Sequence, residues 1–183
     1  MNLPNKLTVA RIILVPFYLA AMVFEFPGHF IVAAAIFIIA SLTDMLDGKI
    51  ARKTNQITVF GKLCDPLADK MLTTAALLAF MELKICNIWI PMIILTREFL
   101  VTSFRLVASA QGVVIPASIW GKMKTVSQMV FSTAIIVALA IHGIPAPVFA
   151  LVCNIMLSIT AVLTVISGIK YIVDGANLID ITK

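Results

Sequence analysis

The sequence predicts an all-α integral membrane protein, with six transmembrane helices in a single domain over residues 1–183 and both termini in the cytoplasm. Three observations carry this expectation. The chain is 61% hydrophobic and only 13% charged, with mean hydropathy +1.08. Soluble domains are about a quarter charged and about half apolar, and a soluble fold with this surface would expose apolar patches large enough to aggregate. Six apolar segments approach the roughly 20 residues that a spanning helix needs. Lys and Arg, finally, gather on alternate connections, as the positive-inside rule requires.

The first span runs from Leu7 to Glu25. Lys6 ahead of an apolar run resembles a secretory leader, but the remainder is equally apolar, so a leader would have nothing soluble to deliver and the segment is retained as a span. Pro27-Gly28 closes it. The second span, Phe30 to Arg52, ends in the polar turn Lys53-Thr54-Asn55-Gln56. The third, Lys62 to Met81, breaks around Lys84 to Asn87, and the fourth, Trp89 to Ser109, breaks from Gln111-Gly112 to Pro116. The fifth, Lys124 to Ile141, stops at His142-Gly143 to Pro147, and the sixth covers Val148 to Val173. Gly and Pro at such points punctuate helices. There is no low-complexity tract and no internal repeat.

With the amino terminus in the cytoplasm, Lys6, Lys53, Lys122, Lys124 and Lys183 lie in or beside cytoplasmic segments. Arg11, Lys49, Arg52, Lys62, Lys70, Arg97, Arg105 and Lys170 fall in or near the cytoplasmic part of their spans, Arg97 deepest, and only Lys84 falls outside. The net charge of +5 therefore reads as loops facing anionic lipid and calls for no nucleic-acid partner. Three cysteines, Cys64, Cys86 and Cys153, have no paired spacing, so no disulfide framework is expected, and Cys64 reads as packing although it adjoins Asp65. His29 and His142 fall in the opposite loops without an expected role, and Trp89 and Trp120 read as interfacial anchors.

Against this apolar background stand Asp44, Asp47, Asp65 and Asp69, four of only nine acidic residues. Ionisable side chains in membrane segments are costly and mark functional sites. On a helix, Asp44, Asp47, Gly48 and Ala51 share an arc of about 100°, and Gly61, Asp65 and Asp69 step by four along one face of the next helix. Two helices joined by a short turn run antiparallel, so the two carboxylate faces can oppose each other. Carboxylates without His or Cys suit Mg²⁺ or Mn²⁺, and four can hold two ions of the kind that clamp a phosphoryl group. The topology sets all four on the cytosolic side. Gly48, Ala51 and Gly61 would let a ligand approach the backbone, although small residues also serve helix packing. The competing reading of the acids is a set of ion pairs with Lys49, Arg52, Lys62 and Lys70, which would not require this spacing.

The string Asp44-x-x-Asp47-Gly48-x-x-Ala51-Arg52, then eight residues, then Gly61-x-x-x-Asp65-x-x-x-Asp69 resembles the signature of the CDP-alcohol phosphatidyltransferase family, with every fixed position present. Asn5 to Arg11, Thr96-Arg97-Glu98-Phe99 with Arg105, and Trp120 to Thr125 with Gln128 resemble the phosphatidylglycerophosphate-forming branch of that family. The resemblance implies transfer of a phosphatidyl group from CDP-diacylglycerol to sn-glycerol 3-phosphate, with loss of CMP. It implies two divalent cations (Mg²⁺ or Mn²⁺) held by Asp44, Asp47 and Asp65, with Asp69 as general base and possible further ligand. It also implies a donor pocket of Gly48, Ala51, Arg52 and Gly61 bordered by Asn5 and Thr8, and a homodimer in the bacterial cytoplasmic membrane whose active site faces the cytosol.

The acceptor of such a reaction brings a phosphate dianion, which Arg grips with paired hydrogen bonds. Arg97, Arg105, Lys122 and Lys124 are the candidates. Positive-inside topology accounts for Lys124 and partly for Lys122, but poorly for Arg97 in an apolar span. Glu98 reads as a structural pair or a contact supporting the site. The alternatives are another acceptor (serine or inositol phosphate) within the same family, a Mg²⁺-dependent intramembrane prenyltransferase, or a cation transporter. The prenyltransferases are generally longer and lack the Gly-x-x-Ala-Arg element, and transporter sites lie near the midplane with repeat symmetry.

Overall fold

The computed structural model of the chain describes residues 3–54, 59–111, 113, 118–141 and 146–176, and gives the backbone alone at 3, 4, 44–54, 59–66, 69, 110, 146 and 176. Six helices account for nearly all of these residues: α1 (Leu3–Val23), α2 (His29–Thr54), α3 (Val59–Glu82), α4 (Trp89–Ala110), α5 (Ile119–Ala140) and α6 (Ala146–Ala176). Each corresponds to one expected span. Of these, α1, α5 and α6 contain described stretches both long and apolar enough to cross a bilayer, and α2 contributes a shorter apolar stretch over His29–Thr43 before its charged end.

The starts of α1 and α5 differ most from the hydropathy reading, each for a local reason. Helix α1 begins at Leu3, not Leu7, because a proline in the first turn of a helix loses no intrahelical hydrogen bond; Asn5 and Thr8 are thereby helical. Helix α5 begins at Ile119, not Lys124. Ser118 caps it, its Oγ accepting from the Gly121 N–H at 3.1 Å, which satisfies one of the orphan donors of a helix start.

The described residues fall into two compact units, Met1–Leu83 with Ser132–Pro145, and Lys84–Phe131 with Ala146–Lys183. In the first, α1 packs on both α2 and α3. Its buried apolar side chains include Tyr18, Met22, Phe37, Leu72, Leu77 and Phe80 with Ala33, Ala40, Ala75, Ala76 and Ala79, and the Tyr18 and Phe37 rings stack tilted at 5.6 Å between centroids. Alanines on packed faces bring helices close, the usual basis of association where lipid removes the hydrophobic drive. The α1–α2 corner turns at Gly28, whose φ of 76° suits a residue without Cβ. His29 begins α2 rather than lying in a loop, and its Nδ1 sits 3.0 Å from the Ala21 carbonyl of α1.

In the second unit α4 packs on α6. Asn154 of α6 donates through Nδ2 to the Ile85 carbonyl at 2.6 Å and to Ala150 of its own helix at 2.8 Å, fastening the connection that precedes α4. Asn87 accepts from the Trp89 N–H at 3.1 Å, an Asx turn that starts α4. Large apolar side chains such as Phe17, Ile31, Leu106, Leu151 and Ile169 point outward on the two units, as lipid-facing side chains do.

Candidate active site

The carboxylate motif lies on two consecutive helices of the first unit. Asp44, Asp47, Gly48, Ala51 and Arg52 belong to the carboxy-terminal half of α2, and Gly61, Asp65 and Asp69 to the amino-terminal half of α3. Helical backbone through both stretches makes the expected faces real, because the (i, i+3) and (i, i+4) spacings align only on a helix. The side chains of these eight residues lie outside the described set. Immediately before the motif, Ser41 Oγ donates to the Phe37 carbonyl at 2.7 Å and Thr43 Oγ1 to that of Ala40 at 2.8 Å, hydroxyls satisfied by their own helix.

Helix α1 carries a buried polar row in its amino-terminal half: Asn5 is 7% exposed, Thr8 0% and Arg11 1%. All three are engaged in polar interactions, as buried polar groups must be. Since α1 packs on both α2 and α3, this row belongs to the same helical triplet as the aspartates. Among the described residues no cluster of three or more His, Cys, Asp or Glu could hold a metal. The fixed acidic positions of the motif are four aspartates, and carboxylate oxygens are the donors that suit a hard divalent cation.

The second unit builds a basic cluster. Arg97 of α4 reaches two partners. Its Nη1 lies 3.3 Å from Glu98 Oε1, its Nη2 donates to Ser167 Oγ of α6 at 2.5 Å, and its Nε is buried with no hydrogen-bond partner among the described residues. Glu98 Oε1 also accepts from Lys124 Nζ of α5 at 2.5 Å. One carboxylate thus bridges two cations, leaving the trio net positive. Lys124 is only 3% exposed; positive-inside topology does not explain it, because an anchoring lysine snorkels outward whereas this one is buried on an acid. Lys122 is the exposed one. Arg105 donates from Nε to the Tyr171 hydroxyl of α6 at 2.9 Å, and its guanidinium lies 5.5 Å from that ring's centroid. Gly121 of α5 lies against this cluster: a Cβ there would stand in ordinary contact, 3.4 Å from Ser118 Oγ, 3.5 Å from Arg97 Nη2 and 3.6 Å from Ser167 Oγ. The arrangement carries net positive charge and offers an anion oriented donors.

Residues 1–173 match the family model for CDP-alcohol phosphatidyltransferase. The chain belongs to that family.

Its relatives carry one activity in their names. The chain is 39% identical to the CDP-diacylglycerol–glycerol-3-phosphate 3-phosphatidyltransferase of Bacillus subtilis (strain 168), with 93% of each chain covered. It is 41% identical to the protein of that name from Rickettsia felis, again over 93% of each. It is 35% identical to that of Haemophilus influenzae, over 98% of this chain and 96% of the relative. Family membership sets aside the prenyltransferase and transporter readings. In this phosphatidyltransferase the structure brings together Arg97, Glu98 and Lys124, and separately Arg105 with Tyr171. Ser118, Ser167, Gly168 and Tyr171 escaped the sequence reading. The only signal available was a serine three residues before a glycine at a helix start, and a Ser-Gly step deep in an apolar span.

Proposed function

We propose that the chain transfers the phosphatidyl group of CDP-diacylglycerol to sn-glycerol 3-phosphate, giving phosphatidylglycerophosphate and CMP. The observation that carries the reading of a phosphate-bearing acceptor is the cluster of Arg97, Glu98 and Lys124, a half-buried arginine and a buried lysine sharing one carboxylate in a chain otherwise built of apolar helices. A net positive cluster with guanidinium donors suits an acceptor that brings a phosphate. The names of the relatives support the same reaction.

Asp44, Asp47, Asp65 and Asp69 would hold two divalent cations, Mg²⁺ or Mn²⁺, which when bound offset charge on the donor's phosphates and on departing CMP. Asp69 takes the proton of the glycerol C1 hydroxyl as that oxygen bonds to the β-phosphorus and the bond from this phosphorus to the CMP oxygen breaks. Gly48, Ala51 and Gly61 leave room for the cytidine nucleotide, with Arg52, Asn5 and Thr8 at its border. Arg97, Arg105 and Lys124 grip the acceptor phosphate with oriented donors, and exposed Lys122 draws it in by charge.

Residues 1–183 act as one enzyme domain, with six spans, both termini in the cytoplasm and the active site facing the cytosol of a bacterial cell, in the inner membrane, as a homodimer. The positive-inside distribution of Lys and Arg supports this orientation, and a single family match over residues 1–173 supports the single domain. The test is CMP release by the purified protein with CDP-diacylglycerol, Mg²⁺ or Mn²⁺, and a panel of acceptors. Release with glycerol 3-phosphate alone is expected. Release with serine or inositol phosphate but not with glycerol 3-phosphate overturns the assignment.

A further inference from the structure

Helix α6 carries a buried row of hydroxyl side chains, Thr160, Thr164, Ser167 and Tyr171, set along one face by steps of four, three and four. Its members are used differently. Thr160 Oγ1 donates to the Met156 carbonyl at 3.3 Å and Thr164 Oγ1 to that of Thr160 at 2.7 Å, the usual return of a hydroxyl to its own helix. Ser167, fully buried, instead accepts from Arg97 Nη2 across the α4–α6 interface at 2.5 Å. The next residue, Gly168, is the tightest approach of any described glycine: a Cβ there would stand 3.0 Å from Arg97 Cγ. A contact at that distance forces a neighbour to move, and here the neighbour is the stem of the arginine.

We infer that the Ser167-Gly168 step of α6 is a positioning element for Arg97, holding its guanidinium plane in one orientation for the acceptor's phosphate. The inference rests on reading the basic cluster as the acceptor pocket. A guanidinium presents its donors in a fixed planar fork. With Nη1 on Glu98 and Nη2 on Ser167, the plane is fixed from two sides. Nε is then buried without a partner. A buried unpaired donor is costly, and an anion on that edge would satisfy it with a charge-assisted bond. Small residues in membrane helices often serve packing alone. That role would not single out the serine hydroxyl, and removing the hydroxyl would not weaken one substrate and spare the other.

The test is steady-state kinetics on Ser167→Ala, Arg97→Ala and the double variant in detergent or vesicles, with thermal unfolding alongside. Ser167→Ala should raise KM for glycerol 3-phosphate about tenfold, with KM for CDP-diacylglycerol and kcat unchanged within about twofold. Added to Arg97→Ala it should change nothing further, because the serine acts through the arginine. Gly168→Ala should raise the acceptor KM at least as much; if that variant does not fold, Ser167→Ala decides alone. The inference is overturned if Ser167→Ala leaves the acceptor KM unchanged, raises both KM values equally, or has its full effect in the Arg97→Ala background. If Arg97→Ala raises the acceptor KM and Ser167→Ala does not, only the positioning role falls. If Arg97→Ala itself leaves that KM unchanged, the acceptor-pocket reading falls and the positioning role with it.

Discussion

The two units handle charge in opposite ways. In the first, the four aspartates of the motif sit on consecutive helices, α2 and α3, spaced so that carboxylates repeat along a face. Like charges gathered this way repel and call for cations. In the second, Arg97, Arg105 and Lys124 are spread over two helices and each is already held, by Glu98, Ser167 or Tyr171. The first arrangement suits a site completed by metal and organised around a reacting phosphoryl group. The second suits a pocket that binds a charged substrate and does no covalent chemistry. The difference teaches where each kind of damage should appear: in turnover for the first unit, in substrate affinity or stability for the second.

The largest effect is expected at Asp69. Asp69→Asn keeps the volume and removes the base, so kcat should fall by about 10²–10⁴-fold while the thermal midpoint measured without added cation stays close to wild type. Near-normal turnover would remove Asp69 from the proton transfer. Glu98→Gln tests the other unit. It leaves buried Lys124 and Arg97 without their shared acid, and should cost about 1–3 kcal/mol, seen as a thermal midpoint lower by several degrees together with a higher acceptor KM. An unchanged midpoint would mean that the bridge is incidental.

Smaller effects sharpen the contrast. Ser118→Ala removes the cap of α5 and should cost about 1 kcal/mol, with turnover retained, by differential scanning fluorimetry beside an activity assay; a collapse of kcat would make Ser118 part of the chemistry. The smallest concerns Cys86, in the connection before α4, whose thiol burial pushes up from its ordinary 9.0 to about 11. A group whose folded value is raised contributes stability below its unfolded value and loses it as pH rises through the folded one. The wild type should therefore lose stability between pH 9.0 and about 11 more steeply than Cys86→Ala. Parallel pH curves would show the thiol to be freely hydrated.

The same contrast explains what could be read in the chain. The six helices were legible because apolar length and Gly or Pro punctuation are local properties. The aspartate motif was legible because consecutive helices turn sequence spacing into face geometry. The partners of the basic cluster were not, because they join residues 26, 66 and 70 positions apart. No local pattern marks Ser167 as the acceptor for Arg97 or Tyr171 as the one for Arg105. The burial of Lys124 was hidden for a related reason: hydropathy began the fifth span at that lysine, while the helix begins at Ile119 behind the Ser118 cap, so the lysine lies inside it and is buried.

The most direct measurement is a pair of saturation curves for Arg97→Ala beside the wild type, one varying glycerol 3-phosphate and one varying CDP-diacylglycerol, with CMP release as the readout. Loss of a guanidinium that holds a phosphate should raise the acceptor KM by about 30- to 100-fold and leave the donor KM within about twofold. An unchanged acceptor KM, or an equal rise in both, would contradict the division of labour between the two units.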